Sequence, residues 1–415
     1  MKRILKDRFR RRRSTALLSA AVILALLGGS HIAGAETYNQ GLTGELSDGD
    51  WLKGVTVTGD DDFIKYDFGG KDNTFNVQNE DPTDTDTPIG FYYDKGGLIE
   101  NTGGTLHLNL NNPAYNSFNG VAALAFLGGN NVTINSNLDI TVFSDYLSDG
   151  FMMMGTNSKV VVNGNVKMRK NDSSDPWAIT SNNIHGNYGP GGAVSSSAPN
   201  YTGARWTPTG IWMNAKNGSS LTINGDFDIA VRGTGVMCDP YGRGQTNAYD
   251  TAIINLHGKN VRIETPVDTQ ETFFAIGNYG GTINVNVKDN APNVNNNVTI
   301  LGNIITMGLN DEPFYVKGRT NIGLVNSSSS WTGVIDNAGA DKTGQINLWL
   351  KNGATWNHKS RSRTNGLQAA DMPTPSNQNH YGFYDGVSYV TNFFGGSSEE
   401  FAGTIYQQDK ADIDI

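Results

Sequence analysis

One phrase recurs along the chain, and this repetition limits the available folds more than any other feature. Each copy joins two short runs of alternating apolar residues through a corner that contains Asn or Gly. Alternation with a period of two is typical of β-strands that bury one face. The copies are "NNVTINSNLDIT" from Asn130, "SKVVVNGNVKMR" from Ser158, "SSLTINGDFDIA" from Ser219 and "NNVTILGNIIT" from Asn296. The pattern predicts that Ile134, Val162 and Ile223, and Ile283 of the related phrase "GGTINVNV" from Gly280, point inward and that Asn224 lies at a corner.

Two arrangements of these runs fit the alternation equally well. A hairpin with a three-residue loop would pair Ile134 with Leu138 in an antiparallel sheet. A solenoid corner would instead let the chain continue, so that each strand stacks on the equivalent strand of the previous repeat. Repetition at irregular spacing favours the solenoid, because its coils share an inward pattern while their loops vary in length. No stretch after the leader has helical periodicity, so the fold class expected is all-β.

The first 35 residues have the composition of a cleavable signal peptide. A basic stretch precedes an apolar run from Ala16 to Leu27, and Ala33 and Ala35 form the small-residue pattern of a cleavage site. The apolar run is shorter than the roughly 20 residues that a spanning helix needs. We expect cleavage after Ala35, export, and a single domain over residues 36–415.

The charge of the mature region argues against nucleic acid as a partner. Removal of the leader leaves 23 basic and 39 acidic residues, whereas phosphate binding requires a basic face.

Cys238 is the only cysteine, so no intramolecular disulfide can form, and we expect it to be a small buried hydrophobe.

A segment near residues 171–210 interrupts the repeats. It is rich in Ser, Gly and Pro, which predicts a long loop excursion. Its aromatic side chains could stack on sugar rings or insert into a protein partner, and its arginine could meet a carboxylate; alternatively, the aromatics shield the flank of the fold. The candidate ligand-binding residues are Trp177, Tyr188, Tyr201, Arg205 and Trp206.

The C-terminal part of the chain carries the most specific resemblance to a known family. "NSSSSWTGVIDN" from Asn326 is followed by "GQINLWLKNGATWNHKS" from Gly344, after a Gly/Asn-rich body of repeated phrases and a cleavable leader. Together these features resemble the passenger region of a bacterial type V autotransporter, with a closing motif at about residues 326–358. The resemblance implies a right-handed parallel β-helix at the cell surface.

The resemblance also implies a function and a location. Passengers of this kind are exported through the periplasm to the outer-membrane surface or beyond, where they act as adhesins on a glycan or a host surface protein. Family members continue into a C-terminal β-barrel translocator. The residues after "NGATW" are Gly-rich and acidic and do not have the alternation of barrel strands. We therefore expect a truncated family member or a passenger fragment that lacks its translocator; the alternative is a complete secreted solenoid.

The sequence does not carry the usual motifs of catalytic or metal-binding sites. No nucleophile motif of the protease or esterase families occurs, and no cofactor or metal site is expected. His107 and His257 fall within predicted strands, and His358 falls in a predicted loop, without metal-ligand spacing. The alternative function is a polysaccharide-degrading enzyme, a lyase or glycoside hydrolase. Carboxylates beside an Arg or Lys in a groove would favour it.

Overall fold

The fold is all-β in the part of the chain that the structure describes. The computed structural model describes residues 36–38, 56–59, 62–78, 88–111, 121–126, 129–143, 148–171, 208–214, 218–231, 233–239, 252–265, 274–278, 280–306, 308–309, 316–336, 344–361, 387–398, 400–407 and 412–415. Within these residues every regular element is a β-strand, and most belong to two large sheets with 21 and 8 strands.

Most strands fall into three rows, and the chain visits the rows in a fixed cyclic order. The first row contains β3 (Phe63–Asp67), the first half of β6 (Gly96–Asn111), the first half of β8 (Asn131–Val142), β10 (Lys159–Val162), β13 (Ser220–Ile223), β16 (Ile253–Leu256), β19 (Gly281–Val285), β25 (Val316–Leu324), β28 (Gln345–Leu350) and β31 (Asn392–Phe394).

The second row follows the first after a corner in each repeat. It contains β1 (Glu36–Tyr38), β4 (Asn73–Gln78), the second halves of β6 and β8, β11 (Val166–Lys170), β14 (Phe227–Ala230), β17 (Asn260–Glu264), β22 (Asn297–Leu301), β26 (Ser330–Gly333), β29 (Thr355–His358) and β32 (Thr404–Gln407).

The third row completes each repeat and forms the 8-stranded sheet. It contains β5 (Ile89–Tyr93), β7 (Val121–Phe126), β9 (Ser148–Met153), β12 (Thr209–Asn214), β15 (Val236–Asp239), β18 (Phe274–Asn278), β23 (Asn303–Thr306) and β27 (Ile335–Asp336).

Short additional strands pair at the margins of the rows. β2 (Thr56–Gly59) is antiparallel to β3, and β24 (Gly308–Leu309) is antiparallel to β25. β20 (Val287–Lys288) and β21 (Ala291–Pro292) form a hairpin, whereas β30 (Val387–Tyr389) and β33 (Asp412–Asp414) pair in parallel.

The pairing within all three rows is parallel, which excludes the hairpin interpretation of the repeated phrase. Ile134 stands beside Ile99 on one side and Val162 on the other, and not opposite Leu138. Val162 in turn stands beside Ile223. Ile134, Val162, Ile223 and Ile283 are all fully buried, and Asn224 lies at the corner between β13 and β14, so the predicted inward face and corner are confirmed.

Parallel registration stacks like side chains on like throughout the core. In the second row one column runs through Met168, Ile229, Ile263, Ile300 and Trp331, and every one of these side chains is fully buried. Burial of an aliphatic side chain of this size contributes about 1.5–3 kcal/mol. The alternation visible in the sequence therefore becomes a continuous apolar interior shared by successive repeats.

Polar side chains stack in the same way on the outside. Asn284 donates to Asn255 at 2.8 Å, Asn321 donates to Asn284 at 2.6 Å, and the ladder continues through Asn347 to Asn392. An amide carries both donors and an acceptor, so each asparagine can bond the repeat before it and the repeat after it. These ladders give the abundant Asn of the sequence a structural role.

Glycine at the corner between the first and second rows is required by a close approach of successive backbones. A Cβ added at Gly164 would lie 1.9 Å from the carbonyl oxygen of Ser136, and at Gly225 it would lie 2.1 Å from the carbonyl oxygen of Gly164. Gly258 faces Gly225 in the same way, at 2.2 Å. The "NGN" and "NGD" corners of the repeated phrase thus leave room for the backbone of the neighbouring repeat.

The closing motif forms a stacked pair of tryptophans inside the core. Trp331 and Trp356 are neighbours in parallel strands, and their rings stack at 4.6 Å with an interplanar angle of 3°. Their indole N–H groups donate to the carbonyl oxygens of Gly302 and Gly333, each at 3.0 Å. Both large side chains are therefore buried without loss of a hydrogen bond.

We expect Gly225→Ala to destabilise the protein, because the added methyl would overlap the Gly164 carbonyl and force the two repeats apart. The expected loss in the free energy of unfolding is about 1–3 kcal/mol, measured by urea denaturation followed by circular dichroism. Gly395→Ala is the matched control, since its nearest neighbour would lie at an ordinary 3.5 Å. Equal stability of the two variants would show that the corner can relax.

Candidate functional site

The residues that the sequence singled out for binding and processing lie outside the described residues. These are Ala35 of the predicted cleavage site and the loop residues Trp177, Tyr188, Tyr201, Arg205 and Trp206. The flanking strands correct the bounds of the excursion. β11 ends at Lys170 and β12 begins at Thr209, so Thr209 and Gly210 are strand residues and not loop residues.

The three described histidines occupy different environments. His107 lies in β6, as predicted, whereas His257 directly follows β16, and its Nε2–H donates a hydrogen bond to the Val287 carbonyl oxygen at 3.2 Å. The placement of His358 in a loop is wrong: it ends β29, is fully buried, and bonds Ser388 at 2.8 Å. The "WNH" run is a buried strand in which His358 occupies an inward position beside Trp356.

A band of ion pairs crosses the outward face of the second row and is the strongest candidate for a functional surface. We define this charged strip as Asp139 of β8, Lys167 and Arg169 of β11, Asp228 of β14, Arg262 and Glu264 of β17, and Arg361, which lies three residues beyond β29. Strand registration brings these residues together: Lys167 stands between Asp139 and Asp228, and Asp228 stands beside Arg262.

One end of the charged strip centres on Asp139. Its carboxylate lies 3.8 Å from the Lys167 ammonium nitrogen and 3.4 Å from Nδ1 of His107. Lys167 is the most exposed member of the strip, with 55% of its side chain accessible. Exposed pairs of this kind stabilise a fold by less than about 1 kcal/mol. The contribution of these ion pairs to stability is therefore too small to account for the placement of the charges.

The other end is denser and more deeply set. Asp228 pairs with Arg169 and lies 3.7 Å from Nε of Arg262, which also pairs with Glu264. Glu264 lies 3.7 Å from Nη2 of Arg361. Three guanidinium groups thus share two carboxylates across three successive strands and the segment after β29. We call Arg169, Arg262 and Arg361 the guanidinium trio.

Several N–H donors of the guanidinium trio have no hydrogen-bond partner. Among the described residues, Nη1 of Arg169, Nε of Arg262 and Nε of Arg361 are buried atoms without an acceptor, although Nη2 of Arg361 donates to the Thr265 carbonyl at 3.1 Å. Oδ1 of Asp228, 3.7 Å from Nε of Arg262, is likewise buried without a hydrogen-bond partner. Burial lowers the pKa of Arg361, opposed by the attraction of Glu264. A buried donor left unpaired costs roughly 1–3 kcal/mol.

The chemistry of the charged strip is that of ionic recognition. Four permanent cations and three carboxylates give it one excess positive charge on a protein with a formal net charge of −9. Planar guanidinium groups match carboxylates and phosphates through two parallel hydrogen bonds. The strip can therefore hold an anionic group while its own carboxylates keep the arginines in position.

Sequence reasoning missed the charged strip, because its members are far apart along the chain. Aligning the second halves of the repeated phrases, "NVKMRK", "DFDIAV" and "NVRIET", would have placed Lys167, Asp228 and Arg262 in one column. Arg361 carries no such signal, since it belongs to no repeated phrase.

Other features of the described residues add no further site. They contain no group of three or more His, Cys, Asp and Glu residues able to hold a metal ion. Cys238 is buried in the core, as predicted. A search of the same residues for a helix of sufficient length and apolarity to cross a membrane finds none.

In comparisons with known proteins, no family model, no curated protein and no solved structure matches the chain.

Asp149 is a buried carboxyl group in the third row that the sequence did not reveal. "SDG" has the composition of a turn, yet these residues begin β9, with Asp149 beside Ala122 and Thr209 in the neighbouring strands. Its side chain is 2% exposed and its Oδ1 atom has no hydrogen-bond partner. Burial raises the pKa of Asp149, an effect that a hydrogen bond from the Thr209 side chain only partly opposes.

We expect Asp149 to make stability fall as pH rises. The folded state holds the proton of Asp149 more tightly than the unfolded state does. The protonated Asp149 therefore adds to the free energy of unfolding below the unfolded pKa of about 3.8, and this added stability is lost as pH rises from there to the higher folded pKa. Relative to Asp149→Asn, the parent should lose up to about 1.4 kcal/mol per pH unit within that window. Urea denaturation from pH 4 upwards measures this difference.

The exposed Asp62 supplies the control for this pH dependence. Asp62→Asn removes a carboxyl group from the surface and not from the interior, so its stability relative to the parent should not follow the pH dependence expected for Asp149→Asn. A constant difference for Asp149→Asn over the same range would contradict the role assigned to burial.

Proposed function

We propose that the three rows of strands form a right-handed parallel β-helix. Three observations support this fold: the cyclic order of the rows, the parallel pairing of each strand with its equivalent in the next repeat, and the core that all repeats share. Parallel strands connected by a crossover are right-handed in nearly all known cases. The bonded residues of successive repeats are 28 apart for Asn135 and Asn163 but 61 apart for Asn163 and Asn224, as expected if a long excursion joins one pair of coils.

We propose further that the chain is a non-catalytic, exported passenger of the autotransporter type that binds a glycan or a host surface protein. The leader, the absence of disulfide partners and the repeated phrases support export and folding after translocation. A stack of short-range contacts can form progressively as a chain emerges from a membrane. In the closing motif, Asn352 and Gly353 have positive φ and form the turn that leads to the stacked Trp356.

The observation that carries the binding role is the charged strip. It presents the exposed parts of the Lys167 and Arg262 side chains on the outward face of a regular sheet, a surface type that repeat proteins use for extended ligands. Its charges lie on consecutive strands, so a polymer could contact several repeats at once. The excursion, which carries the candidate aromatic residues, follows Lys170 of β11 and ends where β12 begins, so it is close in sequence to the strip.

A polysaccharide-degrading enzyme is the second candidate, because three carboxylates lie among cations on one sheet face. Glycoside hydrolysis needs one carboxyl group that donates a proton and a second that acts as nucleophile or base. In the charged strip, however, the carboxyl groups of Asp139, Asp228 and Glu264 are each engaged in an ion pair with one or more neighbouring cations. The geometry is better suited to binding than to acid–base catalysis.

One paired assay separates the two candidates. The exported chain is applied to arrays of glycans and matrix proteins, and every glycan that binds is then incubated with it and tested for new reducing ends or unsaturated products. We expect binding without turnover. The double variant Asp228→Asn, Glu264→Gln is the control for chemistry. Turnover that this variant abolishes would support the enzyme, and the absence of any array ligand would contradict the binding role.

A further inference from the structure

The last strands of the first and second rows have an open edge. At the start of the first row, β3 is covered by β2, which pairs with it in the antiparallel direction. At the other end, β31 pairs with β28 and β32 pairs with β29, and no further described strand pairs with either of them. The outer edges of β31 and β32 therefore carry backbone N–H and C=O groups that another strand can bond.

The apolar interior reaches this open edge. We define the terminal repeat as residues 392–398 and 400–407, which contain β31 and β32. Its inward residues Phe393 and Ile405 stand beside Leu348 and Trp356, which are fully buried one repeat earlier. Phe393 and Ile405 are themselves only partly buried, although they pack against the same core. The core that the repeats share is therefore incompletely covered at the terminal repeat.

Exposed apolar side chains are concentrated in the same part of the chain. Four of the eight large apolar side chains that are exposed among the described residues lie beyond Val390, and Phe401 is the most exposed of all at 84%. Such a concentration marks an interaction site, since the end of a solenoid normally needs a polar outer face to remain soluble. The four are Phe394, Phe401, Tyr406 and Ile415.

The hydrogen bonds of β32 show which of its backbone groups face the open edge. The Thr404 N–H donates to the Ala354 carbonyl oxygen at 2.9 Å, so Thr404 bonds towards the preceding repeat. Successive residues of a strand direct these groups to opposite edges, and the N–H and C=O of Ile405 therefore point to the open edge. A strand that bonds both groups of Ile405 in the antiparallel direction places its own inward residue directly opposite.

From these observations we propose that a second copy of the chain docks on the terminal repeat, with the two β32 strands antiparallel across a two-fold axis at Ile405. This register exchanges both hydrogen bonds between Ile405 and Ile405 of the second copy, and it places inward side chains opposite each other. Identical faces complement each other about such an axis. The one charged side chain of the terminal repeat, Glu400, is paired with Lys351 at 2.5 Å, so it does not oppose the contact.

The size of the terminal repeat predicts a weak dimer. A repeat with three strands of about five residues has a cross-section on the order of 500 Å². Two such faces bury about 1,000 Å² in total, which is at the lower limit for a specific protein interface. We therefore expect association that depends on protein concentration. This inference is independent of the proposed binding function.

Sedimentation equilibrium of the exported chain over a range of concentrations tests the proposal. We expect a monomer–dimer equilibrium without larger species, strengthened by added salt, because β33 carries Asp412 and Asp414 and two copies bring like charges together. Tyr406→Lys should weaken association about tenfold or more, since it replaces an exposed aromatic with a charge on the docking edge. Phe143→Lys is the matched control. Phe143 is 41% exposed directly after β8, and its variant should associate as the parent does.

A cross-link tests the register. Ile405→Cys should give a disulfide-linked dimer on oxidation with copper phenanthroline, because the Cα atoms of a hydrogen-bonded antiparallel pair are about 5.5 Å apart. Ile253→Cys, at an exposed position of β16, should remain monomeric, as should the parent, whose Cys238 is buried. Unchanged circular dichroism should show that the variants are folded.

Four results would overturn the proposal. They are a monomer at every concentration, association of Tyr406→Lys equal to that of the parent, equal cross-linking of Ile405→Cys and Ile253→Cys, and open-ended association. The last would indicate head-to-tail stacking in place of a two-fold axis.

Discussion

Parallel backbone pairing between successive repeats is the constraint on which the rest of the structure depends. It places each residue beside the equivalent residue of the next repeat, so residues of the same chemical type form a column that runs across the repeats. Apolar columns fill the interior, amide columns bond each other outside, and the corner column must be glycine where carbonyl oxygens of the neighbouring repeat approach. The residue types that each repeated phrase can contain are therefore limited by the repeats that pair with it on either side.

The same pairing explains how charged residues far apart in sequence form one surface. Arg169 and Asp228 are separated by the whole excursion, yet registration of β11 with β14 brings their strands together. The charged strip differs from the amide ladders in one respect that matters for function. Each asparagine of a ladder bonds the asparagine of the next repeat, whereas within the described residues the strip leaves three guanidinium N–H groups and Oδ1 of Asp228 without hydrogen-bond partners.

The sequence predicted the interior and the corners well, because both follow from local alternation. Ile134 and Ile223 are inward, Asn224 is at a corner, and the preference for stacked repeats over hairpins is supported by the parallel sheets. The error at His358 arose because this polar residue ends a strand, β29, and shares the inward face of that strand with Trp356. A single polar residue at an inward position cannot be distinguished from a loop residue by alternation.

The candidate site could not be predicted in the same way. The charged strip depends on the register between distant repeats, and Arg361 reaches Glu264 from outside any repeated phrase. Asp149 was hidden by the turn-like composition of its neighbours, although it lies in a buried strand. Such sites depend on tertiary contacts that no local pattern carries. The predicted loop residues, Trp177 and Trp206 among them, remain predictions outside the described residues.

A disulfide trap measures the parallel register most directly. Thr133 and Val161 are neighbours in the parallel pair β8–β10 and carry outward side chains, so the double variant Thr133→Cys, Val161→Cys should oxidise to an intramolecular disulfide seen by peptide mass mapping. Neighbouring strands are about 4.8 Å apart, within the range of Cα separations that a disulfide can span. In the hairpin arrangement Thr133 would face Asp139 instead. Efficient oxidation of the first pair and not of Thr133→Cys, Asp139→Cys is the expected result, and the reverse outcome would contradict parallel stacking of the repeats.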